Sequence, residues 1–92
     1  MRYVWDSVKD VENRRKHGFG LEDGIAALED PNYEFWFDDR FDYGEVRMAT
    51  VGLGKTEILL VITTVREDEL TRIISVRRAN SHEQHWYYHG HP

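Results

Sequence analysis

Residues 70–79 constrain most strongly what this chain can fold into. Ile73, Ile74 and Val76 place branched apolar side chains on both faces of an element in which successive residues alternate sides. Such a run is typical of a strand covered on two sides. The stretch therefore predicts a buried strand inside a sheet, and the remaining elements must pack around it.

Two adjacent arginines end this strand. Successive strand residues point to opposite faces, so we expect Arg77 to share a face with Ile73 and Ser75, and Arg78 to share the other face with Arg72. A guanidinium offers a planar fork of donors that suits a phosphate. Strands also end in solvated arginines, so the pair indicates either an anion site or a plain surface.

Strand and helix patterns divide the rest of the chain into an ordered series. The later strands are joined by short turns, so they should be antiparallel. The sequence predicts an α+β domain with the order β-α-α-β-β-β-β-α, in which two N-terminal helices and a short C-terminal helix pack on a mainly antiparallel sheet. The predicted segments are residues 2–5, 7–17, 21–29, 33–37, 45–53, 57–65, 70–78 and 81–88.

The first predicted helix is unusually polar. Val8 and Val11 are its only clear apolar anchors, and Gly18 follows its last residue where a left-handed turn would end it. Helix periodicity places four polar residues on one face, which is either a solvated surface or a basic functional face. These four residues are Lys9, Asn13, Lys16 and His17.

Length and composition exclude several classes of protein. Ninety-two residues are enough for one domain, and without cysteine there are no disulfides, thiolate metal sites or cysteine nucleophiles. No stretch is apolar for the roughly 18 residues that a membrane span needs, and no signal core is visible. We expect a soluble, cytoplasmic, single-domain protein with no membrane partner and a frayed tail at residues 89–92.

The net charge of −5 is distributed unevenly along the chain. Residues 21–45 contain nine acidic residues against the single base Arg40. This acidic block argues mildly against a nonspecific polyanion binder. It favours, as an alternative to an enzyme, a noncatalytic protein-binding module with an acidic flank.

Two short motifs resemble cofactor or metal sites but are incomplete. Residues 52–56 end like a phosphate-binding loop, yet Ala49 stands where the pattern needs glycine and a strand follows instead of a helix. His82 and His85 could share a helix face, but a third metal ligand is not evident. We therefore predict a hairpin turn at the first motif, and neither a metal nor a cofactor.

An ordered set of residues nevertheless resembles the BrnT family of bacterial type II toxins, small endoribonucleases with a RelE-like fold. The resemblance covers about residues 3–88. It implies metal-independent RNA cleavage, growth arrest, and neutralisation by a BrnA-type antitoxin whose ribbon-helix-helix domain binds DNA. The residues that carry the resemblance are Trp5-Asp6, Lys16-His17-Gly18, Asp30-Pro31, Glu45, Arg47, Gly52, Arg66, the run 72–75, Arg77 and Ala79.

RNA cleavage without a metal requires a base for the ribose 2′-hydroxyl, cations for the phosphate and an acid for the leaving oxygen. We predict His17 or Glu45 as acid or base, with Arg47 and Arg77 as phosphate clamps. Glu45 and Arg47 could equally form an ordinary ion pair, and His17 a helix cap. Supporting RNA contacts are predicted from Lys9, Asn13, Lys16, Arg66 and Arg78.

Overall fold

The computed structural model describes residues 2–40, 43–65 and 69–92. The α+β class and the predicted order of elements are confirmed, with one 3₁₀ turn added before the second helix. The elements are β1 (Arg2–Val4), α1 (Ser7–His17), the 3₁₀ turn (Leu21–Asp23), α2 (Gly24–Leu28), β2 (Glu34–Phe37), β3 (Arg47–Leu53), β4 (Ile58–Val65), β5 (Leu70–Arg78) and α3 (Ser81–His89).

The five strands form one sheet in the order β1-β5-β4-β3-β2. The pairs β2–β3, β3–β4 and β4–β5 are antiparallel, and only β1 runs parallel to its neighbour β5. The predicted hairpin between β3 and β4 is present, closed by a hydrogen bond of 2.8 Å from the Gly54 amide to the Glu57 carbonyl. Gly52 lies inside β3, where a Cβ would come within 2.1 Å of the Ala27 carbonyl oxygen of α2.

Each face of the sheet buries its own apolar cluster, as a strand with branched residues on both sides requires. We call the two faces after the helix that each contacts. The α2 face carries Leu21, Ala27, Leu59, Val61, Ile73 and Val76. The α3 face carries Ala49, Val51, Ile58, Leu60, Ile62 and Ala79, with Trp36, Ile74 and Tyr87 packed against them.

A β-bulge in β5 overturns the predicted alternation of the strand. Ile62 of β4 lies opposite Ser75, while the next residue of β4 lies opposite Ile73, so Ile74 is an extra residue in the ladder. A bulge places two successive residues on the same side. Arg77 therefore does not share a face with Ile73. It lies on the α3 face, together with Arg72.

Helix α1 is attached to the sheet through a polar residue. β1 pairs only with residues 70–72 of β5, which leaves the outer edge of β5 open beyond that point. There the side chain of Asn13 donates to the carbonyls of Val76 and Phe19 at 2.8 Å each, and accepts from the Val76 amide at 3.1 Å. Asn13 is buried and takes the place of a neighbouring strand.

The predicted apolar anchors of α1 were wrong. Val8 and Val11 are each 66% exposed, because the helix contacts the sheet through Asn13 and the 3₁₀ turn through Asp10. Asp10 accepts a hydrogen bond from the Leu21 amide at 2.7 Å, which holds the 3₁₀ turn against the helix. A periodicity search for apolar residues cannot find a helix that is attached through side-chain amide and carboxylate groups.

The end of the chain packs on the α3 side of the sheet edge. His89 completes α3, and the His91 ring stacks on Trp36 at a centroid distance of 4.3 Å with 11° between the planes. The His91 amide also lies 3.4 Å from a carboxylate oxygen of Glu34. Within the described parts of the chain, no helix is both long and apolar enough to cross a membrane.

Candidate active site

A carboxylate and two guanidiniums meet on the α3 face. Glu45 lies just before β3 and not within it, contrary to the predicted strand 45–53. Nη2 of Arg72 lies 3.0 and 2.7 Å from the two oxygens of Glu45, and Nη2 of Arg47 lies 3.5 Å from one of them. Arg47 and Arg72 both pair with Thr64, so three adjacent strands build the cluster.

The electrostatics of the cluster keep Glu45 ionised. Loss of solvent acts to raise the pKa of Glu45, but Arg72, the Thr64 hydroxyl and Arg47 together outweigh it and hold the pKa below its usual value. At neutral pH Glu45 is therefore a carboxylate and an acceptor of protons or hydrogen bonds. It can serve as a base in this state but not as an acid.

Both arginines of the cluster have an N–H donor that no described residue accepts. The Nε atoms of Arg47 and Arg72 are buried and have no hydrogen-bond partner among the described residues. The Arg47 guanidinium also lies over the Tyr43 ring, 3.8 Å from its centroid. Stacking of this kind keeps a guanidinium in place without consuming its N–H groups.

Arg77 lies on the same face but at a distance from this cluster. Its guanidinium donates two hydrogen bonds of 2.8 Å to the carboxylate of Glu83, a buried residue of α3. Arg77 pairs with Leu60 and Arg72 pairs with Thr64, four residues apart along β4. At the rise of a strand this separation is about 13 Å. The structure does not place Arg77 beside Arg47.

A third arginine–carboxylate pair lies beside Arg47, where the Asp38 amide donates to the Arg47 carbonyl at 2.8 Å. Nε and Nη2 of Arg40 lie 2.8 and 3.1 Å from the two oxygens of Asp38, and the Tyr43 hydroxyl donates to Asp38 at 3.2 Å. These hydrogen bonds, Arg40 first, lower the pKa of Asp38 against the effect of burial. Tyr43 therefore links this pair to Arg47 of the first cluster.

In all three pairs the arginine is the more exposed partner. The exposed fractions of the side chains are 61% against 2% for Arg40 and Asp38, 31% against 8% for Arg77 and Glu83, and 40% against 31% for Arg72 and Glu45. In these three pairs the guanidinium is the outer group, whereas Glu45 is more exposed than Arg47, at 31% against 20%. The α3 face thus presents positive charge outward although the whole chain carries −5.

The remaining predicted site residues lie elsewhere. Lys9, Lys16 and His17 are exposed on α1 and form no side-chain hydrogen bond or ion pair within the described part of the chain. Asn13 uses its amide on β5 and Phe19, as described above. Arg78 forms an ion pair with Glu57 at the far end of the strand. Arg66 lies outside the described residues.

Arg72, Arg40 and Tyr43 were missed as site residues by the sequence analysis. Arg72 places a charge in the interior of β5, two residues before the apolar Ile74, and that charge is the signal that could have singled it out. Arg40 and Tyr43 belong to the acidic stretch before β3, which carries no periodicity. Among the described residues, no three histidine, aspartate or glutamate side chains cluster to hold a metal ion.

Comparison with known proteins identifies the family of this chain. The family model for BrnT, described as the ribonuclease toxin of a type II toxin-antitoxin system, matches residues 5–83. The crystal structure of the Brucella abortus ribonuclease toxin BrnT is similar in fold, with a TM-score of 0.60, 23% identity, and coverage of 88% of this chain and 99% of that one. A search of curated proteins finds no significant match. The chain belongs to the BrnT family of ribonuclease toxins of type II toxin-antitoxin systems.

Proposed function

We propose that this protein is an endoribonuclease that needs no metal and that cleaves RNA at the cluster of Glu45, Arg47 and Arg72. The observation that carries the proposal is one ionised carboxylate held between two guanidiniums, on a face where three arginines are more exposed than the carboxylates they pair with. The cluster brings a proton acceptor and cations together, as attack by a ribose 2′-hydroxyl on the adjacent phosphate requires.

Each residue of the cluster has a distinct role in the proposed reaction. Glu45 accepts the proton of the attacking 2′-hydroxyl as its oxygen bonds to phosphorus, and the 5′-oxygen that leaves takes up a proton from water. Arg47 and Arg72 stabilise the negative charge that develops on the phosphate oxygens, using N–H groups that Glu45 leaves free. Arg77, about 13 Å further along the sheet, contacts another phosphate of the same RNA. His17 forms no bond to this cluster, so we assign the proton acceptor to Glu45.

We further propose that RNA cleavage arrests growth and that a BrnA-type antitoxin neutralises it. The antitoxin would cover the α3 face and carry a ribbon-helix-helix domain, so that contact with DNA occurs only through the antitoxin. The support for this partner is membership of a type II toxin-antitoxin family. A short neighbouring reading frame with a ribbon-helix-helix pattern would be its genetic counterpart.

The first prediction concerns Arg72→Ala in the purified protein. Removing one preorganised charge donor from the transition state should lower the rate of RNA cleavage by about 100-fold or more. Arg15→Ala is the matched control, because it removes the same charge from an exposed site on α1 and should leave the rate unchanged. Cleavage by the unmodified protein should persist in excess chelator.

The far-ultraviolet circular dichroism spectrum separates a lost function from a lost fold. Arg72→Ala should keep the native spectrum, since a side chain 40% exposed contributes little to stability. Unchanged cleavage by a folded Arg72→Ala variant would contradict the assignment of the cluster. Folded, unmodified protein that leaves RNA intact and does not slow growth would contradict the proposed function itself.

A further inference from the structure

A groove lies on the α3 face between Arg77 and the cluster of Glu45, Arg47 and Arg72. It has a volume of about 160 Å³, and aliphatic side chains of β3 and β4 line its floor. Trp36 and Trp86 line one part of it, with ring centroids 5.2 Å apart, and Arg40 lies at another. The groove therefore adjoins the path that an RNA strand would follow between the two groups of phosphate-binding arginines.

The tryptophans give this groove a surface on which a flat ring can stack. Nucleobases stack on aromatic side chains in sites that bind single-stranded RNA. Trp36 already stacks one heteroaromatic ring, the imidazole of His91, outside the groove. A cavity of this size holds about five waters at about 30 Å³ each, so a base can enter it by displacing only a few molecules.

Arg40 adds a directional contact to the stacking surface. Its Nε and Nη2 are fixed on Asp38, whose side chain is only 2% exposed, so the plane of the guanidinium is set by a buried anchor. Its Nη1 has no partner among the described residues, and 61% of the side chain is exposed. The outer edge of Arg40 thus presents a pair of N–H donors toward solvent at the groove.

That pair of donors matches one base better than the others. Guanine presents two acceptors, O6 and N7, on one edge, whereas adenine presents a donor beside its N7 acceptor and would meet Arg40 with an N–H group. The two carboxylates at the groove, Asp38 and Glu83, are already bound to Arg40 and Arg77. Because each carboxylate is paired with an arginine, neither places an uncompensated negative charge beside the base.

We propose that the groove is a guanine subsite, in which the base accepts hydrogen bonds from Arg40. Because the Trp36 and Trp86 rings lie at 78° to each other, the base stacks on one of them and meets the other edge-on. The inference rests on the proposed function, since it makes Arg40 a determinant of where the RNA is cut. Cleavage then occurs at a constant position relative to a guanosine, because the groove and Glu45 are fixed on the same sheet.

The test measures the binding of mononucleotides, which contain no phosphodiester bond for the protein to cleave. Guanosine 3′-monophosphate should quench the tryptophan fluorescence and bind about tenfold more tightly than adenosine 3′-monophosphate. Arg40→Lys keeps the positive charge over Asp38 but loses the planar fork, so it should abolish the preference for guanosine. Arg15→Ala, on α1, should retain the preference.

Mapping the products of RNA cleavage gives the second arm of the experiment. The unmodified protein should leave guanosine at one position beside the cut, and Arg40→Lys should lose that enrichment while it still cuts. Equal affinity for the two nucleotides, or a preference that survives in Arg40→Lys, overturns the subsite, as does cleavage without guanosine enrichment. Selective guanosine binding by a protein that cuts no RNA supports the subsite and overturns the proposed function.

Discussion

At the scale of single residues, the site is built from arginines that rest on acids. Arg40, Arg72 and Arg77 each lie over a carboxylate that is less exposed than the guanidinium. A carboxylate below a guanidinium fixes the orientation of the donor fork while the outer N–H groups stay available. Removing such an arginine therefore has two effects, one on the ligand and one on the acid left behind.

The next prediction separates these two effects at Arg77. Arg77→Ala should destabilise the protein by about 2 kcal/mol, because the buried carboxylate of Glu83 loses two hydrogen bonds. The double variant Arg77→Ala/Glu83→Gln should recover much of this loss in urea unfolding, because the uncompensated charge is gone. Both variants should bind RNA more weakly than the unmodified protein.

The alternatives at Arg77 give different results in the same measurements. If Arg77 serves only to hold α3, the double variant will regain RNA binding together with stability. If Arg77→Ala leaves the free energy of unfolding unchanged, the Arg77–Glu83 pair contributes no net stability.

At the scale of elements, Asp30 joins three parts of the fold. Its carboxylate accepts hydrogen bonds from the Asn32 amide at 3.0 Å, the Leu53 amide at the end of β3 at 2.7 Å, and the Tyr87 hydroxyl of α3 at 2.5 Å. Burial acts to raise the pKa of Asp30, but these donors lower it overall. The hydrogen bond between Tyr87 and Asp30, together with burial, raises the pKa of Tyr87 to about 12.

These pKa shifts predict a pH-dependent effect of Asp30→Asn. A carboxyl group whose pKa is lower in the folded than in the unfolded state stabilises the fold when it is ionised. For an aspartate this stabilisation is complete above the pKa of the unfolded state, about 4, and is lost as the pH falls below that value. Asp30→Asn should therefore cost about 2 kcal/mol at neutral pH. In urea unfolding, the difference from the unmodified protein should narrow at about pH 3.

Asp39→Asn is the matched control for Asp30→Asn, because Asp39 is exposed and lies two residues after the end of β2. It should change the free energy of unfolding little at either pH. A difference between Asp30→Asn and the unmodified protein that stays constant down to about pH 3 would show that the carboxylate charge does not stabilise this junction.

At the scale of the whole molecule, most of the described acids of residues 21–45 are hydrogen-bonded or ion-paired within the fold. Asp30 accepts hydrogen bonds from α3 and β3, and Asp38 and Glu45 lie beneath arginines. Glu22 pairs with Arg14 of α1, and Asp23 accepts from the Gly20 amide. Much of the acid in residues 21–45 thus holds the fold and its arginines in place, which reconciles a net charge of −5 with a positive face.

This charge arrangement predicts how the proposed antitoxin associates. An acidic segment of the antitoxin should be attracted to the exposed arginines of the α3 face, so association should be fast and should slow with added salt. Raising the salt from about 0.1 M to about 1 M shortens the screening length from about 10 Å to about 3 Å. Stopped-flow measurement of association across this range checks the prediction.

A double variant that removes Arg40 and Arg72 should flatten this salt dependence, whereas Arg15→Ala on α1 should preserve it. An association rate that does not respond to salt would mean that the antitoxin recognises the toxin through another surface, such as the exposed Val8 and Val11 of α1.

The sequence by itself determined the order and type of the elements, because periodicity, turns and helix ends are local properties. The end of α1 at His17 and the bounds of β5 at residues 70–78 were predicted as observed, and Gly18 has the left-handed backbone expected after α1. The proximity of Glu45 and Arg47 also followed from local spacing. The resemblance to the BrnT family was likewise carried by residues at definite spacings, and the family match confirms it.

Only the tertiary structure decided which arginines share a face and what lies between them. One extra residue at Ile74 moves Arg72 and Arg77 to the same side of the sheet, and nothing local in the strand marks the bulge. Asn13 likewise reads as a surface residue until the open edge of β5 is known. Both depend on how distant strands pair, and a register between strands is set by packing and hydrogen bonding across the whole sheet.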